Sequence, residues 1–270
     1  MANDSQRDAS AAAVQTAPEL GLLRFQGPDA AKFLQGQLSN DMSALSSAHF
    51  TLAGLHNPQG RVLALLRLAA LAPDHIVALL PTDLAETTAA TLRRFVLRAK
   101  VTLTNESTSA GAMAKLAAQL PSVVQLLRSE AHALNIAVGV PQVYAATSGE
   151  FVAQMLNLDC VNAISFNKGC YTGQEIIARA HYRGRLKRRM QRFITDAVST
   201  FVLAPGQPLS LGDGRSAKLV DGVRHADGRL EFLAVAALTA STSEVPALGD
   251  APAGLRLACT QLPLPYALPD

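Results

Sequence analysis

The sequence predicts an α+β protein in two parts, a strand-and-helix region to about residue 185 and a small antiparallel β-barrel from about residue 186 to 270. Three observations carry this reading. Two apolar runs, Arg61 to Leu71 and His75 to Leu80, flank Ala72-Pro73-Asp74, the kind of turn that joins antiparallel neighbours. Other segments carry apolar residues at helical spacing, such as Phe33, Leu34 and Leu38. After Met190 the pattern becomes short alternating runs separated by turns such as Gly212-Asp213-Gly214 and Asp227-Gly228, as in a small barrel.

Residues 1–17, rich in Ala, Ser and Gln, offer nothing that could offset the cost of ordering and read as a disordered tail with no apolar leader. Leu20 to Phe25 suits a strand. Gly27-Pro28-Asp29 opens a helix from about Ala30 to Leu38, and Ser39-Asn40-Asp41 closes it. Asn40 and Asp41 either finish that helix end or line a ligand site. Ala48 to Leu55 leads through the turn Asn57-Pro58-Gln59-Gly60 to the two apolar runs, and the longest apolar stretch is broken by Arg67, Pro73, Asp74 and His75, which excludes a membrane span there. Thr82-Asp83-Leu84 starts a helix to about Arg98, with Leu84, Leu92, Val96 and Leu97 apolar and Arg93, Arg94 and Arg98 outward. Val101 to Leu103 returns to strand. The interval 104–137 holds linker and an amphipathic piece near Val123 to Leu134, enough for one or two helices but short for a sheet layer. The barrel strands are expected at Gln191 to Asp196, Gln207 to Leu211, Ala217 to Val223, Leu230 to Leu238 and Leu255 to Cys259, and Leu262-Pro263-Leu264-Pro265-Tyr266 reads as a docking tail.

The chemistry concentrates between Asn162 and Met190. Lys168-Gly169-Cys170-Tyr171-Thr172-Gly173-Gln174-Glu175 places a lysine, a thiol, a phenol and a carboxylate on one glycine-shaped turn, followed by a helix with Ile176, Ile177 and Ala180 on one face and Arg179 and Arg183 on another. A cysteine just before a helix start and two residues after a lysine is placed to favour the thiolate. The alternative is a small buried cysteine at a helix entry. Seven basic residues (Arg179, Arg183, Arg185, Lys187, Arg188, Arg189 and Arg192) lie within fourteen positions, leaving 17 basic against 21 acidic groups elsewhere, so the net charge of +3 is a local field. The three cysteines are widely spaced, which excludes a disulfide framework and a four-cysteine cluster and fits a reducing cytoplasm.

The octet from Lys168 to Glu175 resembles, position by position, the signature K-G-C-[FY]-x-G-Q-E of the YgfZ family, folate-binding proteins similar to the aminomethyltransferase (T-protein) of the glycine cleavage system. The segment Gly27 to Asp41 resembles the family's opening G-x-D-a-x-x-F-L-q-G-q-l-t-n-D, Asn57 to Leu63 its n-p-x-G-r-v-l turn, and Phe151 to Asp159 its f-x-P-q-m-l-n-l-d, with Ala153 in the proline position. The resemblance implies a T-protein-like folate-binding fold with a C-terminal barrel, here with a shortened middle module. It also implies binding of tetrahydrofolate or a folate derivative and support of iron-sulfur proteins or their assembly factors, including enzymes that thiolate tRNA. Tyr171 is then the stacking face, Gln174, Glu175, Gln154, Asn157, Asn40 and Asp41 are candidates for the pterin edge, Arg183 and the basic stretch suit the glutamate tail, and Cys170 with Lys168 is the reactive pair. Gln154 and Asn157 equally suit buried amides that satisfy loop backbone. No metal site is expected. With no tryptophan in the chain, stacking falls to Tyr or Phe.

Two other functions compete. The resemblance to T-proteins implies, for a folate-dependent aminomethyltransferase, an acidic pair just after the glycine turn with one carboxylate central to transfer, and here Arg61-Val62-Leu63-Ala64-Leu65 follows Gly60, with no acid before Asp74. A nucleic-acid module could use the basic stretch, but Tyr182 is its one aromatic of the kind stacking needs, and a solvated helix end beside an anionic small molecule is simpler.

Overall fold

The computed structural model describes residues 19–120, 129–184, 186–202, 204–238 and 256–269. The expected N-terminal tail, Arg185 and the first part of the piece near Val123 lie outside the described residues.

Five strands form the first sheet: β1 (Leu20–Gln26), β2 (Thr51–His56), β3 (Val62–Ala72), β4 (His75–Pro81) and β5 (Thr102–Asn105), in the order β2-β3-β4-β1-β5. Every pairing is antiparallel, with Leu68 opposite Ala78 and Leu22 opposite Leu79. β3 and β4 are almost continuously apolar because the sheet is covered on both sides. Leu23, Phe25, Leu66, Leu68, Ala78 and Leu80 face the main core with Phe33 and Leu34 of α1 (Ala30–Gln37) and Leu84, Ala89 and Leu92 of α2 (Thr82–Arg93). Leu22, Ala69, Val77 and Leu79 point the other way, onto Ala112 and Leu116 of α3 (Ala112–Gln119).

α2 stops at Arg93, five residues before the expected end. Phe95 N–H donates to Leu92 O and Val96 N–H to Arg93 O, the tight i to i−3 bonds of a closing last turn. The chain turns back there so that β5 can pair with β1. Leu97, expected on the apolar face, is 85% exposed, whereas Val96 packs against the core. Between β5 and residue 137 the described structure adds α3 and α4 (Ser129–Ala137).

The second sheet contains β6 (Arg188–Thr195), β7 (Pro208–Leu211), β8 (Ser216–Arg224), β9 (Leu230–Ala237), β10 (Arg256–Leu257) and β11 (Cys259–Leu262), in the order β10-β7-β8-β9-β6-β11. Its two edge strands are separated by Ala258 alone, so the sheet curls on itself into a nearly closed barrel. The β10–β7 pair is parallel, the exception to the expected antiparallel pattern. Alternation along β9 explains its complete burial. Phe232, Ala234 and Ala236 fill the barrel, while Leu233 and Val235 join the core of the first region. The expected docking tail does dock. β11 pairs with β6, and Tyr266 O–H donates to Gly139 O at 2.7 Å.

A buried polar cluster fastens the two parts. A register shift in β8 between Leu219 and Asp221 turns the Asp221 carboxylate toward Tyr144 O–H (2.8 Å), His132 of α4 (2.9 Å) and its own neighbour Gly222 N–H (2.9 Å). Arg67 of β3 donates to Gln142 Oε1 at 2.7 Å. Burial holds the Arg67 guanidinium down to about 10 and pushes the Tyr144 phenol up.

Candidate functional site

The signature turn is held against the first sheet by interlocking glycines. Gly173 caps the start of α5 (Gln174–Arg183) with φ +83, and a Cβ there would stand 2.5 Å from Asn57 O and 3.1 Å from Gly60 Cα. Gly60, itself at φ +71, packs under Ile176. Backbone thus meets backbone at a distance only glycine permits. Gly169 has no such role: its φ is not left-handed, and nothing lies within 4 Å of where a Cβ would be. One glycine of the predicted pair shapes the turn.

Lys168 sits differently from the expectation that it activates Cys170. Its Nζ donates to Gln35 O (2.7 Å), Leu38 O (2.6 Å) and Asn40 O (2.7 Å), capping the carbonyl end of α1. Burial lowers the ammonium to about 8 while Asp41 pulls it back up. Its three donors are committed, so Lys168 fixes the loop's position and leaves the thiol to its surroundings. Cys170 is exposed and free, and α5 begins four residues later at Gln174. The property the structure gives this sulfur is accessibility.

Tyr171 is 7% exposed and part of the main core, which corrects its expected role as an open stacking face. Burial pushes its phenol up to about 12, and Lys168 Nζ lies 5.3 Å from its ring centroid. Its ring neighbour, 6.1 Å away, is His56. That histidine is buried with neither ring nitrogen hydrogen-bonded among the described residues, and burial pushes it down to about 4, against a weaker upward pull from the facing Gly54 carbonyl.

Gln154 and Asn157 also take structural roles. Gln154 Nε2 donates to Ile177 O at 2.7 Å, and Asn157 Nδ2 donates to Met190 O at 2.9 Å. Both residues are fully buried, and Asn157 adopts φ +56, a left-handed conformation that asparagine tolerates. They tie the loop before the signature to α5 and β6, as the buried-amide alternative expects, while Gln154 Oε1 has no partner among the described residues. Gln174 is half-buried. Glu175 is exposed in the first turn of α5, where a carboxylate suits the positive end of the helix, and Arg183 is exposed in its last turn.

The basic stretch is divided by secondary structure. Arg179, Arg183 and Lys187 are exposed, but Arg188 and Arg189 are buried in β6. Arg189 makes a two-pronged ion pair with Asp159, at 3.1 and 3.0 Å, with side chains 5% and 3% exposed. Arg192 pairs with Glu231 at 2.6 Å. The expected local field is correspondingly smaller.

A hollow of about 740 Å3 opens beside the loop, bounded by residues 40–52, 159–167 and His181. Asn40 and Asp41 line it, as do Phe50, Asn162, Phe166 and Asn167, whereas Cys170, Tyr171, Gln174, Glu175 and Arg183 do not. The loop and the opening segment are stitched together behind it. Ser39 Oγ donates to Ala163 O at 2.7 Å, and Ser165 N–H donates to Ser39 O at 2.9 Å. Asn40 is a wall: its amide donates to Leu52 O and Asn162 O and accepts Asp41 N–H. Asp41 Oδ1 accepts from Ser43 N–H, and that bond, with help from the side chains of Ser43 and Gln35 and from the Lys168 charge, holds its carboxyl below the usual range at the rim of the hollow. Sequence reasoning missed Phe166, Asn167 and His181. His181 stacks on Phe166 with centroids 3.9 Å apart and planes 18° from parallel, and the only advance signal was a phenylalanine two residues before Lys168.

No family model matches the chain. It is 28% identical to the tRNA-modifying protein YgfZ of Klebsiella pneumoniae (strain 342), over 95% of this chain and 94% of that protein. It is 27% identical to the tRNA-modifying protein YgfZ of Escherichia coli (strain SMS-3-5 / SECEC) over the same shares. An uncharacterized protein of Haemophilus influenzae is 31% identical over 63% of this chain and 69% of its own length. Among solved structures, the glycine cleavage system aminomethyltransferase T of Bartonella henselae superposes with a TM-score of 0.59 at 13% identity, over 82% of this chain and 77% of that one. That likeness establishes the fold shared with aminomethyltransferases. With relatives aligned along nearly its whole length and the Lys168–Glu175 octet seated on the glycine turn of that fold, the chain belongs to the YgfZ family.

Proposed function

We propose that this chain is a folate-binding accessory protein that supports iron-sulfur enzymes, among them those that modify tRNA, and that it acts in the cytoplasm through Cys170. The observation that carries the reading is the clamped loop. Lys168 and Gly173 hold Cys170 in solvent three residues past Asn167, which lines the hollow. An accessible thiol on a rigid turn suits exchange with a partner thiol or transient ligation of a cluster held by a partner.

The hollow fits a folate derivative by size and by donor set. Its volume falls within the range of small-molecule sites, roughly 300 to 1,000 Å3. Phe166, stacked on His181, offers an aromatic wall, Asp41 a carboxylate acceptor for the N–H edge of a pterin, and Asn162 and Asn167 side-chain amides without partners among the described residues. Arg183, at the end of the helix that carries His181, supplies positive charge toward the glutamate tail. A bound reduced folate would contribute one-carbon or redox chemistry. The chain's own groups orient it and shield one ring face.

A second reading seats the pterin edge at the joint between the two parts, where Arg67 Nη2 and Asp221 Oδ2 are buried without partners among the described residues. Loss of binding on substitution of Asp41 decides between the two. Aminomethyl transfer is disfavoured. The position after the glycine turn is Arg61, whose guanidinium donates to Glu150 O at 2.6 Å, and no carboxylate stands there.

The test is complementation. In cells lacking the protein, wild-type chain restores thiolated tRNA and iron-sulfur enzyme activity, and Cys170→Ala, equally abundant, does not. Full rescue by Cys170→Ala would end the proposal.

A further inference from the structure

The exposed side of α5 carries an arrangement centred on Tyr182 and Arg179 that lies outside the hollow's lining, although it shares the Phe166–His181 stack and Arg183 with the folate reading. Tyr182 is 68% exposed and Ile176 44% exposed. Tyr182 meets the Phe166–His181 stack edge-on, at 6.0 Å and 67° to Phe166 and 4.8 Å and 78° to His181. Three rings from two separate segments thus form one cluster in which the Tyr182 ring is largely open to solvent. Arg179 and Arg183 stand four residues apart on the same helix, Arg179 three before Tyr182, and all are exposed. Lys187 is exposed just beyond the helix end. Among the described residues none of these three cations is ion-paired, and the helix has one acid, Glu175, at its opposite end. The sequence alone showed a basic stretch with a single aromatic. Folding adds Phe166 from outside it and removes Arg189 and Arg192 into ion pairs, leaving cations that flank a ring platform.

We propose that this face binds single-stranded nucleic acid, one base stacking on Tyr182 while adjacent phosphates meet Arg179, Arg183 and Lys187. Base stacking on an aromatic beside a cationic track is how sequence-tolerant single-strand sites work. An acidic peptide would use the cations but leave the ring cluster without a role, and a membrane surface would need more exposed apolar side chains than Ile176 and Tyr182. The inference stands on the surface of α5 and does not depend on folate binding.

The test is fluorescence anisotropy of the full chain with a labelled mixed-sequence RNA of about twelve nucleotides, repeated with DNA of the same sequence and with a poly-aspartate peptide, across a salt series. Three phosphate contacts predict a slope of log affinity against log salt of about −2, and Arg179→Gln with Arg183→Gln flattens it by about 1.4. Tyr182→Ala weakens binding by roughly fivefold or more, whereas Tyr182→Phe, which keeps the ring, binds as wild type does. All three positions are exposed, so melting temperatures stay unchanged and misfolding does not confuse the comparison. Preference for RNA over DNA assigns the face to RNA, and equal binding leaves it a general single-strand site. Absence of binding at low salt, equal retention of the peptide, or indifference to Tyr182→Ala overturns the proposal.

Discussion

Replacing His56 with phenylalanine removes one buried ring that titrates and leaves its shape nearly intact. In the unfolded chain a histidine takes its proton near pH 6.5, but burial beneath Tyr171 holds the folded ring's value at about 4. Between those values the unfolded state binds more protons, so the stability tied to His56 is complete above about pH 6.5, falls as the pH drops, and levels off below about 4. Evaluated from the two values, acidification from about pH 7 to about pH 4.5 removes about 2 kcal/mol through this residue alone. Urea unfolding of wild type and His56→Phe at both pH values isolates that contribution, because every other histidine is common to both proteins. The variant should lose about 2 kcal/mol less than wild type on acidification, whatever the substitution costs at neutral pH. His56→Leu should give the same double difference. Equal acid sensitivity in all three proteins would show that the His56 ring is hydrated or hydrogen-bonded, and the packing of the signature loop on β2 would need revision.

Arg189→Leu leaves Asp159 buried without its partner and should cost about 3 to 5 kcal/mol in urea unfolding, partly recovered by Asp159→Leu in the same chain. Lys168→Met strips three carbonyls of their donor. The site is half-exposed, so water replaces part of the loss, and about 2 kcal/mol is expected in the same assay. Iodoacetamide at neutral pH, followed by peptide mass spectrometry, should label exposed Cys170 first. Cys160, pushed up to about 11 by burial and by Asp159, should react at least about tenfold more slowly, and comparable rates would contradict the placement of the two thiols.

Where one element decides its own conformation, the sequence was readable. The β3–β4 hairpin followed from two apolar runs around a proline turn, and the barrel strands from period-two alternation. The octet announced the family before any coordinate was known. What escaped depended on distant partners. Lys168 looked like a neighbour of Cys170 in sequence, but the unsatisfied carbonyls at the end of α1 lie closer in space. The basic stretch read as one field because nothing local reveals that Arg189 and Arg192 lie on a strand facing Asp159 and Glu231. Arg67 looked like an interruption of an apolar run, and proved to be a buried part of the joint with the barrel region. The hollow itself is assembled from three stretches, two joined through Ser39 and the third through the Phe166–His181 stack, so Asn40 and Asp41 were within reach of sequence reasoning while the Phe166–His181 wall was not.

The central claim, that the hollow behind the signature loop takes a folate, is tested most directly by calorimetric titration of the full chain with 5-formyltetrahydrofolate. Wild type should bind it, and Asp41→Asn, which keeps the cap to Ser43 but loses the charge, should bind roughly tenfold more weakly. No heat of binding at about millimolar ligand would contradict the folate reading outright, and undiminished binding by Asp41→Asn would move the pterin from the hollow to the Arg67–Asp221 joint.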